Sequence, residues 1–283
     1  MEGILLVDKE RGISSFDVVR RVRGITRTKR VGHAGTLDPE ASGLLLVCLG
    51  RYTKLSSLFT NTHKVYETTF RLGESTTTDD GEGEVIARHP WTHLDRSKIL
   101  EGLTHFQGSI EQIPPRFSAI KVKGVRAYKL ARADVDAELT PRSVEILEIQ
   151  LLRVELPRIS LRVHCSKGTY IRSLARDLGQ VLGVGAFAEE IRRVSSGSFL
   201  VDNAVKSQDL ELGLIKKDLL SGIEALGEME RVDISQTERD HAINGRRFLL
   251  PRFISNNAVA VFDDNPVFIL GYREGCPRIL RVL

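Results

Sequence analysis

Cysteine is scarce in this chain of 283 residues, where Cys48, Cys165 and Cys276 lie far apart. No two have the spacing of metal ligands, and an odd, dispersed set suits reduced thiols better than a disulfide framework. The histidines, at positions 33, 63, 89, 93, 105, 164 and 241, form no H-E-x-x-H string and have no partnering cysteine pair. No metal site is therefore expected. A G-x-x-x-x-G-K-[ST] string is also missing, which excludes a nucleotide P-loop. Ser166-Lys167-Gly168-Thr169 echoes the end of one without its upstream glycine. No apolar run approaches membrane-spanning length, and Met1 to Asp8 turns polar too soon for a signal peptide. A cytoplasmic protein with no membrane partner is expected. Internal repeats and low-complexity tracts are absent. So is a strong charge of either sign, since 41 Lys and Arg against 37 Asp and Glu leave a net +4. That surplus is compatible with a nucleic-acid partner but does not demand one.

The chain is long enough to bury a large core, as one big domain plus a small one. Its most distinctive stretch is Gly32-His33-Ala34-Gly35-Thr36-Leu37-Asp38-Pro39-Glu40-Ala41-Ser42-Gly43. Glycines permit positive φ and close backbone approach, and Pro39 biases Asp38 toward extended geometry. The loop thus presents one carboxylate at the mouth of Leu44 to Leu49, a run apolar enough for a strand buried on both faces. An isolated Asp-Pro would more often be a plain turn.

Ile4 to Val7 reads as a short buried strand. Ser14 or Ser15 can cap a helix with Val18, Val19 and Val22 on its apolar face, and Arg27, Lys29 and Arg30 carry basic charge up to the glycine loop. Tyr52 to Thr60 suggests a short helix and Lys64 to Gly73 an alternating strand. Asp79-Asp80-Gly81 is turn chemistry, so Asp79 and Asp80 read as hairpin residues. Asp95 can cap a helix carrying Ile99, Leu100, Leu103 and Phe106. Ile113 to Lys121 is a rigid lead-in to a basic stretch ending at Arg132, and Val144 to Val154 and Ile159 to Cys165 are β-prone. Thr169 can cap a helix burying Ile171, Leu174, Leu178 and Leu182, with Arg172 and Arg176 on another face. A further helix is expected to end at Ile191-Arg192-Arg193-Val194, and an amphipathic helical connector to span about Ser207 to Glu230. Short strands follow, including Ala258 to Phe262 and Val267 to Tyr272. A glycosidase would need a second carboxylate beside Asp38; Glu40, Glu67 and Asp80 stay open, but nothing marks any of them.

Taken in order, several separated strings resemble the pseudouridine synthases, in the form carried by the TruB family that modifies uridine 55 of tRNA. Gly32 to Gly43 resembles that family's catalytic loop, which implies Asp38 as the nucleophile and His33 as a contact to the RNA. Lys64-Val65-Tyr66 resembles its second motif, giving Tyr66 the place against the target base. Cys165-Ser166-Lys167-Gly168-Thr169-Tyr170-Ile171-Arg172 resembles the third, with Tyr170 in the pocket and Arg172 paired to the aspartate. Ile191 falls where a leucine usually lies against the uracil, a volume-conserving change. Glu10 stands where a proline is commoner.

The resemblance implies an α+β fold, a mixed, largely antiparallel sheet flanked by helices, with the active cleft across it. It implies a catalytic domain over residues 1–230, with an RNA-clamping insertion at about 116–140 (its basic part Arg116 to Arg132), and a small β-rich PUA-like module over 231–283. The reaction implied is isomerisation of uridine 55 in the tRNA T loop, by base flipping and without a cofactor. The T arm of tRNA is the implied partner, and a monomer needing no obligatory protein partner is expected. Two rivals stand beside this reading. A non-catalytic tRNA-folding chaperone on the same scaffold would not need Asp38, Tyr66 and Arg172 together. The guide-RNA-dependent branch generally has a longer C-terminal module than a tail ending at Leu283.

Overall fold

The apolar run after the glycine loop becomes the Ser42–Leu49 strand, buried from Gly43 onward. Alternation explains how one strand serves two interiors. Leu45, Val47 and Leu49 face Val18, Val19 and Val22 of the Ser15–Thr26 helix. Leu44, Leu46 and Cys48 face Tyr52, Leu55 and Phe59 on the other side. The computed structural model describes residues 1–283 apart from 123, 134, 136–137, 245–252 and 274–275, with only the main chain of 273, 276 and 277.

An 11-stranded sheet forms the body. Its main path runs Val205–Lys206, Gly3–Lys9, Ser42–Leu49, Ala186–Ser196, Lys64–Leu72, Arg158–Cys165, Arg142–Glu155 and Gly108–Gln112. Neighbours are antiparallel except at the Val205–Lys206 edge and at one interior junction. There, Arg192 and Arg193 run parallel to Ser42 and Gly43, over just those two pairs. This short seam stitches two antiparallel halves together. On the far half, the Ile171–Val181 helix buries Ile171, Leu174 and Leu178 against Phe70, Leu161 and Val163. Tyr66 and Ile191 touch the interiors of both halves. The architecture is the expected α+β fold with a largely antiparallel sheet.

Three local expectations fail. Residues 186–196 form a strand and not a helix end. Its Ala-Phe-Ala-Glu-Glu start is permissive for a helix, but pairing along the whole Lys64–Leu72 strand overrides local preference. Thr169 is not the cap of the following helix; Tyr170 holds that position, and the Thr169 hydroxyl donates to Ser166 O at 2.9 Å. The connector is broken into the Leu212–Asp218 helix and the short Gly222–Ala225 helix, because Leu219 and Leu220 pair with Leu5 and Ile4.

The tail builds its own four-stranded sheet from Glu230–Asp233, Asn257–Phe262, Asn265–Arg273 and Cys276–Val282. An unanticipated helix, Gln236–Ile243, starts at a capping box between Ser235 and Glu238. Val259, Val261 and Ile269 pack into the same interior as Ile4, Leu6, Leu44 and Leu46. Of the basic tail residues, Arg246, Arg247 and Arg252 lie outside the described residues, as does the Arg273 side chain. The basic insertion contributes a small hairpin, Lys121–Val122 with Val125–Arg126, and the Ala127–Arg132 helix. Among the described residues no helix is long and apolar enough to cross a membrane.

Candidate active site

Asp38 sits between the Val31–Ala34 strand and the seam, and its loop is pinned from several sides. Ser14 takes the helix cap with Asp17 in a capping box, which frees Ser15 for the loop. The buried Ser15 hydroxyl donates to Leu37 O at 2.9 Å and accepts from Leu37 N at 2.8 Å. Lys9 Nζ donates to Pro39 O at 3.1 Å, and also to Glu10 O and Ile13 O. Gly12 N reaches the same Pro39 carbonyl at 2.9 Å. Burial pushes the Lys9 amine down to about 8, against the nearby charges of Asp38 and Glu40. At the seam, Gly43 has φ +101°, and a Cβ there would stand 2.2 Å from Arg193 O. Only glycine lets the strands meet so closely.

The Asp38 carboxylate, 41% exposed, meets Arg172 Nη2 at 2.8 Å. Arg172 is itself buried; both its Nη atoms are engaged, while its buried Nε has no hydrogen-bond partner among the described residues. Nη1 lies 3.3 Å from Asp80 Oδ2 and donates to Thr78 O at 3.1 Å, while Nη2 also donates to Phe117 O at 2.9 Å. Asp80, which reads locally as a hairpin residue and is one of three unmarked candidates for a second carboxylate, is here a buried carboxylate on the Asp38 partner. Its other oxygen accepts from Glu82 N at 3.1 Å and from the Thr78 hydroxyl. Asp79 does the same for the next turn, pairing with Arg176 Nη1 at 3.1 Å. Burial pushes its carboxyl up, against the pull of Arg176. Ser173 and Arg176 both donate to Ile113 O. The face of the helix left to Arg172 and Arg176 is therefore roofed by two loops rather than open to water.

Around this pair lies a cavity of about 290 Å³. Asp38, Tyr66, Tyr170, Arg172 and Ile191 all line it, together with Lys64 and Arg193. Burial pushes the phenols of both Tyr66 and Tyr170 up. The Tyr170 backbone is fixed by the buried amide of Gln112, which accepts from Tyr170 N at 2.8 Å and donates to Tyr170 O at 3.0 Å. Lys64 Nζ is caged by Thr60 O and Thr62 O, and burial pushes it down to about 8. His33 lies apart from the other five, lining an adjoining cavity of about 380 Å³ that shares Asp38 and Arg172 as its wall. Burial, and then the charge of Arg193, push its imidazole down. Asp80, Gln112, Ser15 and Arg193 went unmarked in the sequence. A regular spacing from Arg172 would have found none of them, since all act across long separations. Among the described residues no group of three or more His, Cys, Asp or Glu could hold a metal ion.

Comparison with known proteins gives this geometry a lineage. A family model described as TruB family pseudouridylate synthase, N-terminal domain, matches residues 23–171. A second, described as tRNA pseudouridylate synthase B C-terminal domain, matches residues 172–226. The chain belongs to the TruB family. Among TruB relatives, a Clostridium tetani protein named tRNA pseudouridine synthase B is 38% identical over 277 residues, covering 96% of each chain. One of the same name from Thermobifida fusca is 43% identical over 254 residues, covering 87% of this chain and 86% of that one. The TruB fold is also seen in a solved Cbf5-Nop10-Gar1 complex, with TM-score 0.75 and 24% identity, over 99% of this chain and 84% of that one. An archaeal box H/ACA Nop10-Cbf5 complex gives 0.72 and 21%, over 99% and 86%.

Proposed function

We propose that this chain isomerises uridine 55 in the T loop of tRNA to pseudouridine. The observation that carries the reading is the Asp38–Arg172 pair at 2.8 Å, set in a cavity walled by Tyr66 and Ile191, in a chain of the TruB family. The reaction breaks the C1′–N1 bond, turns the base and joins C5 to C1′. C5 loses a proton and N1 gains one, so no cofactor is consumed. Asp38 supplies the attacking carboxylate oxygen, with Arg172 fixing its orientation and balancing its charge. The detached uracil must be held while it rotates. The Tyr66 ring and the Ile191 side chain hold it without dictating hydrogen bonds. The uridine reaches this cavity by leaving its stacked loop. His33, in the adjoining cavity, would contact the RNA.

Residues 1–230 would carry the chemistry, with residues 231–283 as a PUA-like module gripping RNA. The stretch around 116–140 would close on the T arm. The enzyme would act as a monomer, in the cytoplasm, with no obligatory partner protein. The test is to incubate the protein alone with an unmodified tRNA transcript and map pseudouridine. Wild type should modify position 55, and Asp38→Asn should bind tRNA within about threefold of wild type yet give no product. Appreciable turnover by Asp38→Asn would remove the nucleophile from its place.

A further inference from the structure

Arg193 is a buried charge that the chemistry above does not use. Its side chain is 1% exposed, yet its guanidinium bonds to main-chain carbonyls. Nε donates to Leu44 O at 2.7 Å and Nη2 to Gly35 O at 3.0 Å. Arg172, equally buried, instead meets two carboxylates. A guanidinium buried on neutral acceptors is costly to keep, so its retention beside the cavity asks for a reason.

The surroundings say what Arg193 serves. Strand register sets it directly opposite Tyr66, and both side chains line the cavity of Asp38. Burial pushes the Tyr66 phenol up, while the charge of the neighbouring Arg193 pulls it back. Gly35 stands three residues before Asp38, and a Cβ on it would come within 3.4 Å of Arg193 Nη1. The fork therefore lies close against the catalytic loop. Arginine has donors and no acceptor, so a hydrogen bond between these neighbours can run only from Arg193 to the phenol oxygen.

We propose that Arg193 is a positioning residue for the isomerisation, holding the Tyr66 hydroxyl and the Gly35 carbonyl in one fork. The ring that faces the base and the loop that carries Asp38 then keep a fixed separation. This rests on the proposed reading of the cavity as the uridine site. Lysine keeps the charge but, as a point donor, cannot span the same acceptors at once.

The experiment is a double-mutant cycle in single-turnover rate at saturating unmodified tRNA, with tRNA affinity measured in parallel. Arg193→Lys should slow the chemical step about tenfold and Arg193→Met about a hundredfold, with tRNA affinity changed less than about twofold in either. In a Tyr66→Phe background, Arg193→Lys should cost at least about threefold less than in wild type, because only its hold on the Gly35 carbonyl is left to lose. An equal loss in both backgrounds, or a wild-type rate for Arg193→Lys, would overturn the proposal. Absence of pseudouridine from the wild-type reaction would instead overturn the uridine-site reading. Should the Arg193 variants lack a cooperative thermal transition, nitrogen-15 arginine spectra of wild type and Tyr66→Phe decide the matter. The Arg193 Nη resonance should move when its phenol acceptor is removed; an unmoved resonance refutes the bond.

Discussion

Replacing Asp80 by Asn tests whether the second carboxylate on Arg172 matters to the chemistry or only to the fold. Asn keeps the shape and can still accept from Glu82 N and the Thr78 hydroxyl, which turns its amide nitrogen, no acceptor, toward Arg172 Nη1. What disappears is a charge 3.3 Å from Arg172 Nη1, both side chains being buried. The gross attraction at that distance is about 5 kcal/mol with an effective dielectric constant near 20. Much of it is offset because Asp80 no longer has to be desolvated as an anion. A net loss of about 1.5–3 kcal/mol is expected, in the range of charge-assisted hydrogen bonds. Arg172 is left with Asp38 as its single carboxylate and pairs with it more tightly, so the nucleophile is harder to release. The single-turnover rate should fall about 10- to 100-fold, with tRNA affinity within about twofold of wild type. Asp79→Asn is the control, since it loosens the same loop through Arg176 without touching Arg172. It should lower the melting temperature and spare the rate. If Asp79→Asn slows the reaction as much as Asp80→Asn does, tethering of the loop is what counts and the charge argument is wrong. A rate within twofold of wild type for Asp80→Asn would refute it as well.

Lys9 makes a pH prediction for stability. Its folded-state value of about 8 lies below the ordinary 10.5, so between those limits the unfolded chain holds the proton and the folded chain does not. The penalty for burying the charge is complete below pH 8 and fades as pH rises to 10.5. Denaturant unfolding of wild type and Lys9→Met should therefore show wild type gaining about 3 kcal/mol relative to the variant over that window, and a flat difference would contradict it. Removing residues 231–283 uncovers the partners of Val259, Val261 and Ile269 in the main interior. The truncated chain should melt at least about 5 °C lower besides binding tRNA more weakly, and an unchanged melting temperature would show that this interface adds no stability.

The parts of the site carried by one continuous string were legible in the sequence. The glycine loop, the Tyr66 strand and the stretch through Arg172 each announce a local conformation, and five of the six expected residues line one cavity. Whatever depends on pairing across the chain was not legible. The Ala186–Ser196 strand has permissive helical composition and becomes a strand only because Lys64–Leu72 lies beside it. Asp80 carries the same local turn signal whether or not Arg172 comes to meet it. Ser15 and Gln112 are ordinary polar residues until a loop needs a hydrogen bond from them. The tail helix Gln236–Ile243 was missed because it has no buried residue to set a period.

The two-residue seam also bears on when, during synthesis, Asp38, the proposed nucleophile, can meet its cation. Asp38 and its loop emerge early, but Arg193, which grips Gly35 and Leu44, follows Leu44 by 149 positions. Arg172 arrives almost as late. At ordinary elongation speeds of about 5–20 residues per second, the loop waits roughly 7–30 s for these partners. Until then it is a glycine-rich segment at one edge of half a sheet, carrying an acid with no cation to orient it. A chain that has not reached Arg172 and Arg193 lacks the Asp38–Arg172 pair and the clamp on Gly35, and both are assembled by the same closure that completes the main sheet.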